Sequence, residues 1–361
     1  MHQTEMQNDI LVYGSYGFTG NLTVDEFQRR GLSVTLAGRN EDKLKQQSEK
    51  TGLPYLVFEL NTPELTTIIS PFKTVLNCAG PFRYTSLRLA KACVNSGINY
   101  LNVTGEFAVI EQLSLLDKKA QQNGCVVLPG AGFDVAPSDC LIAFAQNKFP
   151  GARTIRLCLS LGGRPSRGTM RTSLSQFKEG GVIRSRGLLT PVRIAHKSYK
   201  IDFRDKVRTC VSIPWGDISS AFYSTQIPNI EVYMAMPNRF ARLAKLAGLF
   251  HGIVKRKPFS SFLASWVERQ PEGPSLSERE KGGSRIYVTV NDITSRKSFL
   301  LKTPEAYTLT AQIAADAAIR VTADTVKPGF HTPSTAFGMN YIMKFKGVER
   351  HELVRGKRNR L

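Results

Sequence analysis

Asp9-Ile-Leu-Val-Tyr-Gly14-Ser-Tyr-Gly17-Phe-Thr-Gly20-Asn-Leu-Thr-Val-Asp-Glu-Phe-Gln-Arg-Arg-Gly-Leu-Ser-Val34-Thr-Leu-Ala-Gly-Arg39 decides how the rest of the chain is read. The apolar run Ile10 to Tyr13 has the length of a buried strand and stops at Gly14, and glycines recur at Gly17 and Gly20. A helix-like stretch follows to Arg30, and a second apolar run, Val34 to Ala37, ends at Gly38-Arg39. Strand, glycine turn, helix and strand within about 30 residues is the setting in which a glycine fingerprint signals a dinucleotide. Gly14 permits the tight turn, Gly17 lets backbone N–H groups approach a pyrophosphate, and Gly20 lets the helix pack on the strand. The helix N-terminus then faces the phosphate charge. On this reading Gly14, Ser15, Tyr16, Gly17, Phe18, Thr19 and Gly20 hold the phosphates. The competing reading is a glycine-rich turn in an ordinary βαβ unit, and the strands on both sides favour the cofactor.

The end of the second strand selects which cofactor. NAD sites place Asp or Glu there for the ribose 2′-hydroxyl, whereas arginine suits a 2′-phosphate. Here the chain reads Ala37-Gly38-Arg39-Asn40, with no carboxylate before Glu41. Arg39 can pair with the phosphate bidentately and stack on adenine. The expectation is NADP(H).

Beyond this unit strands and helices keep alternating. Tyr55 to Phe58, Thr74 to Asn77, Ile98 to Leu101 and Cys125 to Leu128 read as strands. Helical stretches separate them at Glu41 to Lys50, Glu64 to Ser70, Leu87 to Ser96 and Val109 to Asn123. Six such alternations predict an α/β fold: an N-terminal Rossmann-type doubly wound parallel sheet over residues 1–150. From Arg153 the alternation lapses. Strands are expected at Thr154 to Ser160, Val207 to Ile213, Asn229 to Met236 and Arg285 to Val290, and a helix at Thr169 to Lys178. This is a second, α+β substrate domain over 151–305. A helix over Thr308 to Thr322, within a segment 306–340, is expected to pack back near the cofactor domain, ahead of a basic, mobile tail at 341–361.

Ligands in doubly wound sheets sit at the carboxyl ends of the strands. Asn77, Cys78, Ala79, Gly80, Pro81 and Phe82 leave the fourth strand and are expected on the nicotinamide side. Val103-Thr104-Gly105-Glu106 and Pro129 to Asp139 leave the next two. Asp134 and Thr104 are candidates to orient ribose or substrate. His331, in Lys327-Pro-Gly-Phe-His331, is a weak candidate that also fits an ordinary core or surface histidine. None of the eleven tyrosines has a lysine four residues later, which excludes the Tyr-x-x-x-Lys proton delivery of short-chain dehydrogenases. The six cysteines show no C-x-x-C pair, and the five histidines show no zinc spacing, so no metal is expected. That cysteine usage, with no apolar signal region and no run of about 18 apolar residues, points to a cytoplasmic protein.

These segments resemble the saccharopine dehydrogenase-like oxidoreductases, in the shorter branch that includes bacterial trans-acting enoyl reductases. The motifs are Gly14-Ser-Tyr-Gly-Phe-Thr-Gly20, Ala37-Gly-Arg39, Val75 to Phe82, Tyr100 to Glu106 and Leu128 to Asp134. Further on come Ala136-Pro-Ser-Asp139, Gly168-Thr169, Pro214-Trp-Gly-Asp217, Gly273-Pro-Ser275 and Thr332 to Gly338. One departure is Asn102, where the family more often has Asp. The resemblance implies reduction of a lipid or polyketide-type enoyl or carbonyl compound. A saccharopine-type dehydrogenase acting on an imine, and a membrane-associated NADP-binding protein without turnover, are the alternatives.

The charge balance, 49 Lys and Arg against 29 Asp and Glu, implies acidic partners or substrates. Twelve basic residues lie between Arg164 and Arg208, a candidate carboxylate clamp, and no acidic residue occurs from Val232 to Val267. Within the latter stretch, Arg239 to Val267 reads as a basic amphipathic helical segment. It fits an anionic membrane surface, which would make the protein peripheral at the inner face of the membrane. Packing on its own domain, or in a homodimer, uses the same stripe. No nucleic-acid reading motif accompanies the charge, so nucleic acid is not expected.

Overall fold

The structure, a computed structural model, describes residues 8–249 and 265–353, without the side chains of 175–179 and 245–249. The chain divides into two units: residues up to Ala136 together with Tyr307–Phe337, and Pro137–Ala306 together with the chain from Gly338.

The first unit is built on strands β1 (Ile10–Tyr13), β2 (Thr35–Gly38), β3 (Tyr55–Val57), β4 (Thr74–Asn77), β5 (Asn99–Asn102) and β6 (Val126–Leu128). A two-residue strand from far along the chain, β15 (Gly329–Phe330), joins β6 at the edge. All pairings are parallel, in the order β15-β6-β5-β4-β1-β2-β3. The apolar runs are unbroken because the sheet is covered on both faces. Ile10, Val12, Leu36, Leu76 and Leu101 point into one core; Leu11, Tyr13, Ala37, Val75 and Tyr100 point into the other. Helices α1 (Phe18–Arg29), α2 (Glu41–Thr51), α3 (Leu65–Ile69), α4 (Phe82–Asn95), α5 (Phe107–Ser114) and α6 (Asp117–Gln122) connect the strands. The single helix expected over Val109 to Asn123 is thus two. Ser114 Oγ turns back on the Glu111 carbonyl at 2.8 Å, a local bond that competes with the helix ladder where α5 ends.

The boundary expected at 150 falls at Ala136 instead. Helix α7 (Ala136–Lys148) follows β6 as a Rossmann helix would, yet its Phe144 packs edge-on to Phe299 of the second unit, centroids 5.6 Å apart. Conversely, α12 (Ala306–Thr322) places Ala314, Ala317, Ala318 and Val321 in the core over β1 and β2.

The second unit carries a nine-stranded mixed sheet. Its main path is β10 (Ser198–Asp202), β11 (Val207–Ser212), β12 (Asn229–Met236), β7 (Thr154–Ser160), β13 (Gly283–Asn291), β14 (Arg296–Pro304) and β16 (Glu349–Leu353). The hairpin β8 (Gly181–Ser185) and β9 (Leu188–Val192) branches from β12. Helices α8 (Arg167–Glu179), α9 (Asp217–Thr225), α10 (Asn238–Leu249) and α11 (Leu276–Lys281) also belong to this unit. The segment expected as a mobile tail holds β16, paired antiparallel to β14 from Ser298 to Lys302. Arg350 of β16 lays its guanidinium 3.5 Å from the centre of the Phe144 ring, so that residue packs rather than floats.

Candidate cofactor site

The glycine turn has the close approaches its sequence demands. Gly14 has φ +81°, and a Cβ there would lie 2.8 Å from Ala79 in the loop after β4. A Cβ on Gly20 would lie 2.2 Å from the Gly14 carbonyl oxygen, backbone against backbone. Gly14 and Ser15 donate their N–H groups to the Ala37 carbonyl, at 2.7 and 3.3 Å, which closes the turn on β2. No side chain caps α1 at Gly17, and no acidic residue stands in its first turn. A helix start left this way, with a positive dipole end and amides without a side-chain acceptor, suits an anion. The donor set fits a pyrophosphate.

Ser15 is a correction. Its buried hydroxyl donates to Gln47 Oε1 at 2.7 Å, and Gln47 Nε2 returns a bond to the Ser15 carbonyl at 3.0 Å. Ser15 therefore locks the turn to α2, and its side chain is not offered to phosphate. Phe18 packs edge-on to Tyr307, ring centres 5.1 Å apart, so its ring also serves packing.

At the end of β2 Arg39 is exposed and makes no hydrogen bond or ion pair among the described residues. Asn40 Oδ1 accepts the Lys43 N–H at 2.9 Å and caps α2. The Tyr16 ring lies across Gly38, where a Cβ would be 2.5 Å from Cε1, and Lys43 Nζ stands 5.7 Å from the centre of that ring. Lys43 is thus a second cation beside Arg39. Sequence reasoning passed over it, although its spacing, first turn of the helix after the arginine, was the available signal.

The three loops beyond β4, β5 and β6 are tied to one another. Asn77 is fully buried; its Oδ1 accepts the Ala79 N–H at 2.9 Å and its Nδ2 donates to Tyr100 Oη at 3.0 Å. Asn102, equally buried, donates to Ser86 Oγ and accepts the N–H groups of Thr104 and Gly130, all within 3.1–3.2 Å. Glu106 Oε1 accepts the Phe82 N–H at 2.8 Å at the start of α4. Burial raises the Glu106 carboxyl above its ordinary range, against the opposing pull of that N–H and of Arg83. Asn77 and Thr104 are corrected accordingly. The Asn77 amide shapes the loop from inside, and the buried Thr104 hydroxyl accepts the Glu106 N–H at 3.0 Å as a turn former. Cys78 is likewise buried, its thiol pushed up to about 12 by loss of solvent. Within this loop Gly80 is exposed, while Ala79, Pro81 and Phe82 are partly so, and these four remain able to meet a ligand.

Asp134 stands out chemically. Its carboxylate lies over Gly105, where a Cβ would come within 2.8 Å of Oδ2. Loss of solvent pushes its pKa up to about 7, so near neutrality it can hold or release a proton. His331 is corrected: its Nε2 pairs with the Lys327 carbonyl at 2.8 Å and staples the loop into β15. That edge strand lies four strands from β1, roughly 19 Å at the usual strand spacing.

In the second unit much of the expected basic clamp is already engaged. Arg164 pairs with Glu278 at 3.3 Å, Arg171 with Glu268, Lys197 with Glu231 and Arg208 with Asp205. Arg184 is buried and donates to the carbonyls of Ile218 and Gly187, both at 2.8 Å. Of the basic amphipathic segment 239–267, residues 250–264 lie outside the described residues; no described helix is long and apolar enough to cross a membrane.

Comparison with known proteins bears on this geometry. Residues 10–128 match the family model described as saccharopine dehydrogenase NADP binding domain. A saccharopine dehydrogenase-like oxidoreductase of Mus musculus is 28% identical over 221 residues, 53% of this chain and 52% of that protein. A trans-acting enoyl reductase of Mycobacterium tuberculosis is 30% identical over 148 residues, 38% of this chain and 35% of that protein. The matched stretch thus spans about half or less of these relatives. Apo saccharopine dehydrogenase (L-Glu forming) from Saccharomyces cerevisiae shares the fold, with TM-score 0.64 at 10% identity over 96% of this chain and 100% of that one. The glycine turn, the parallel strand order and the match over residues 10–128 show that this part of the chain is an NADP-binding domain of the saccharopine dehydrogenase type.

Proposed function

We propose that the protein is an NADPH-dependent reductase acting on an enoyl or carbonyl group of a lipid-like or polyketide-type substrate. The observation that carries the NADPH reading is Arg39, an exposed guanidinium with no partner among the described residues, at the β2 end where a carboxylate would select NAD. The backbone N–H groups at the start of α1, from Phe18 to Gly20, receive the pyrophosphate, Arg39 with Lys43 the 2′-phosphate, and Ala79 to Phe82 border the nicotinamide. The bound cofactor supplies the hydride. Asp134 holds the proton that completes reduction, at a carboxyl whose burial keeps it protonated up to about neutral pH.

The enoyl class follows the name of the mycobacterial relative, a trans-acting enoyl reductase. The imine alternative draws on the fold of the yeast enzyme, but Arg164, Arg171, Arg184, Lys197 and Arg208 of its candidate carboxylate clamp are engaged within the second unit. NADPH oxidation followed against enoyl thioesters, long-chain ketones, and 2-oxo acid plus amine mixtures tests the reading. Turnover is expected with the first two sets. Turnover only with the imine-forming mixtures would replace the proposal, and silence with all three would favour a cofactor-binding protein without turnover.

A further inference from the structure

Helix α10 turns an unusual face outward. Its inner side is made of small residues: Ala241 is buried with Val211 and Ala195, and Ala244 packs against that cluster. Its outer side carries Arg239, Phe240, Arg242 and Leu243, all exposed, with Phe240 at 49% and Leu243 at 58%. The Arg239 guanidinium lies 4.9 Å from the centre of the Phe240 ring. Neither arginine has a hydrogen bond or an ion pair among the described residues. The sequence supplies no carboxylate from Val232 to Val267 that could neutralise them locally. Trp266, beyond the helix, is 51% exposed as well.

We propose that this face docks on an anionic lipid surface. Large apolar side chains between arginines, on a helix seated by alanines, match the interface between lipid headgroups and acyl chains. There the guanidiniums meet phosphates while Phe240 and Leu243 enter the apolar boundary. A second copy of the chain is a poorer occupant. A two-fold contact through this face would set Arg239 and Arg242 against the same arginines of the other copy. The proposal does not rest on the cofactor reading, since α10 belongs to the second unit.

Co-sedimentation of the full chain with phosphatidylcholine vesicles carrying graded phosphatidylglycerol tests it. The bound fraction should rise with anionic content and fall as salt shortens the screening length. Arg239→Gln with Arg242→Gln should weaken binding by about 30-fold, roughly fivefold for each charge removed at such a surface. Phe240→Ser with Leu243→Ser should abolish the part that survives added salt. Both variants should keep the parent's thermal transition and NADPH affinity, which separates loss of docking from loss of fold. Protein that stays in the supernatant on the most anionic vesicles at low salt overturns the proposal. So does vesicle binding that neither pair of substitutions changes, or a dimer abolished by the Phe240 and Leu243 substitutions in a chain that ignores vesicles.

Discussion

Arg39→Asp isolates the choice of cofactor because the side chain does no work in the fold. It is exposed and bonded to nothing among the described residues, while the cap of α2 rests on Asn40. Replacing such a residue changes stability by about 0.5 kcal/mol or less, so a lost affinity is a lost contact. A guanidinium paired with a phosphate contributes charge-assisted bonds of about 1.5–3 kcal/mol. The new carboxylate adds repulsion, though Lys43 stays nearby and limits it. The expected loss for NADPH is about 2–4 kcal/mol, or roughly 30- to 1,000-fold in Kd. NADH has no 2′-phosphate to lose and gains an acceptor for its ribose hydroxyl, so its Kd should move by no more than about threefold. Calorimetric titration of parent and variant with both cofactors, beside a thermal melt, measures this. Equal losses for NADPH and NADH, or none for either, would show that Arg39 does not face the 2′-phosphate.

Lys43→Gln should weaken NADPH alone, by about 1 kcal/mol or more; an unchanged Kd would leave Arg39 as the sole cation there. Gly80→Val puts bulk on an exposed loop position and should abolish turnover with the fold intact, whereas an unfolded circular dichroism spectrum would make that glycine structural. Asn102→Ala orphans the buried N–H groups of Thr104 and Gly130 and should cost about 2–6 kcal/mol in denaturant unfolding. A cost under about 1 kcal/mol would mean that the loops are not held through this amide. For Asp134, the folded carboxyl titrates at about 7 and the unfolded one near 3.8, so the unfolded state binds fewer protons between those values. Its contribution is therefore intact below about pH 4 and is lost progressively up to about pH 7. Asp134→Asn should be more stable than the parent at pH 8, with the difference gone near pH 4, and should lose turnover; a stability difference independent of pH would contradict the assignment.

The nucleotide-binding segment is legible in the chain without its fold. The first strand, the glycine turn, α1 and β2 are contiguous, and each is dictated by short-range constraints: a tight turn at Gly14, a backbone approach at Gly20, and Arg39 at the β2 end where a carboxylate would select NAD. The unbroken apolar runs likewise announced a sheet covered on both faces, since alternate residues of β1 feed the two cores. What a side chain is occupied with was decided only in the folded chain. Ser15, Asn77, Thr104 and His331 carry functional groups that suit a ligand, and each is committed to a partner that only folding brings near or orients. Asp134, half-buried, became a candidate proton carrier through its packing against Gly105, 29 positions away in the chain. Of the nine strands of the second sheet only β7, β11, β12 and β13 were legible, and their order was not, because antiparallel partners such as β14 and β16 are chosen by packing between distant segments. The face α10 shows to solvent had the same origin. The sequence marks this stretch as amphipathic, but Ala241 and Ala244, small enough to approach β11, are what the fold buried, while Phe240 and Leu243 stay outside.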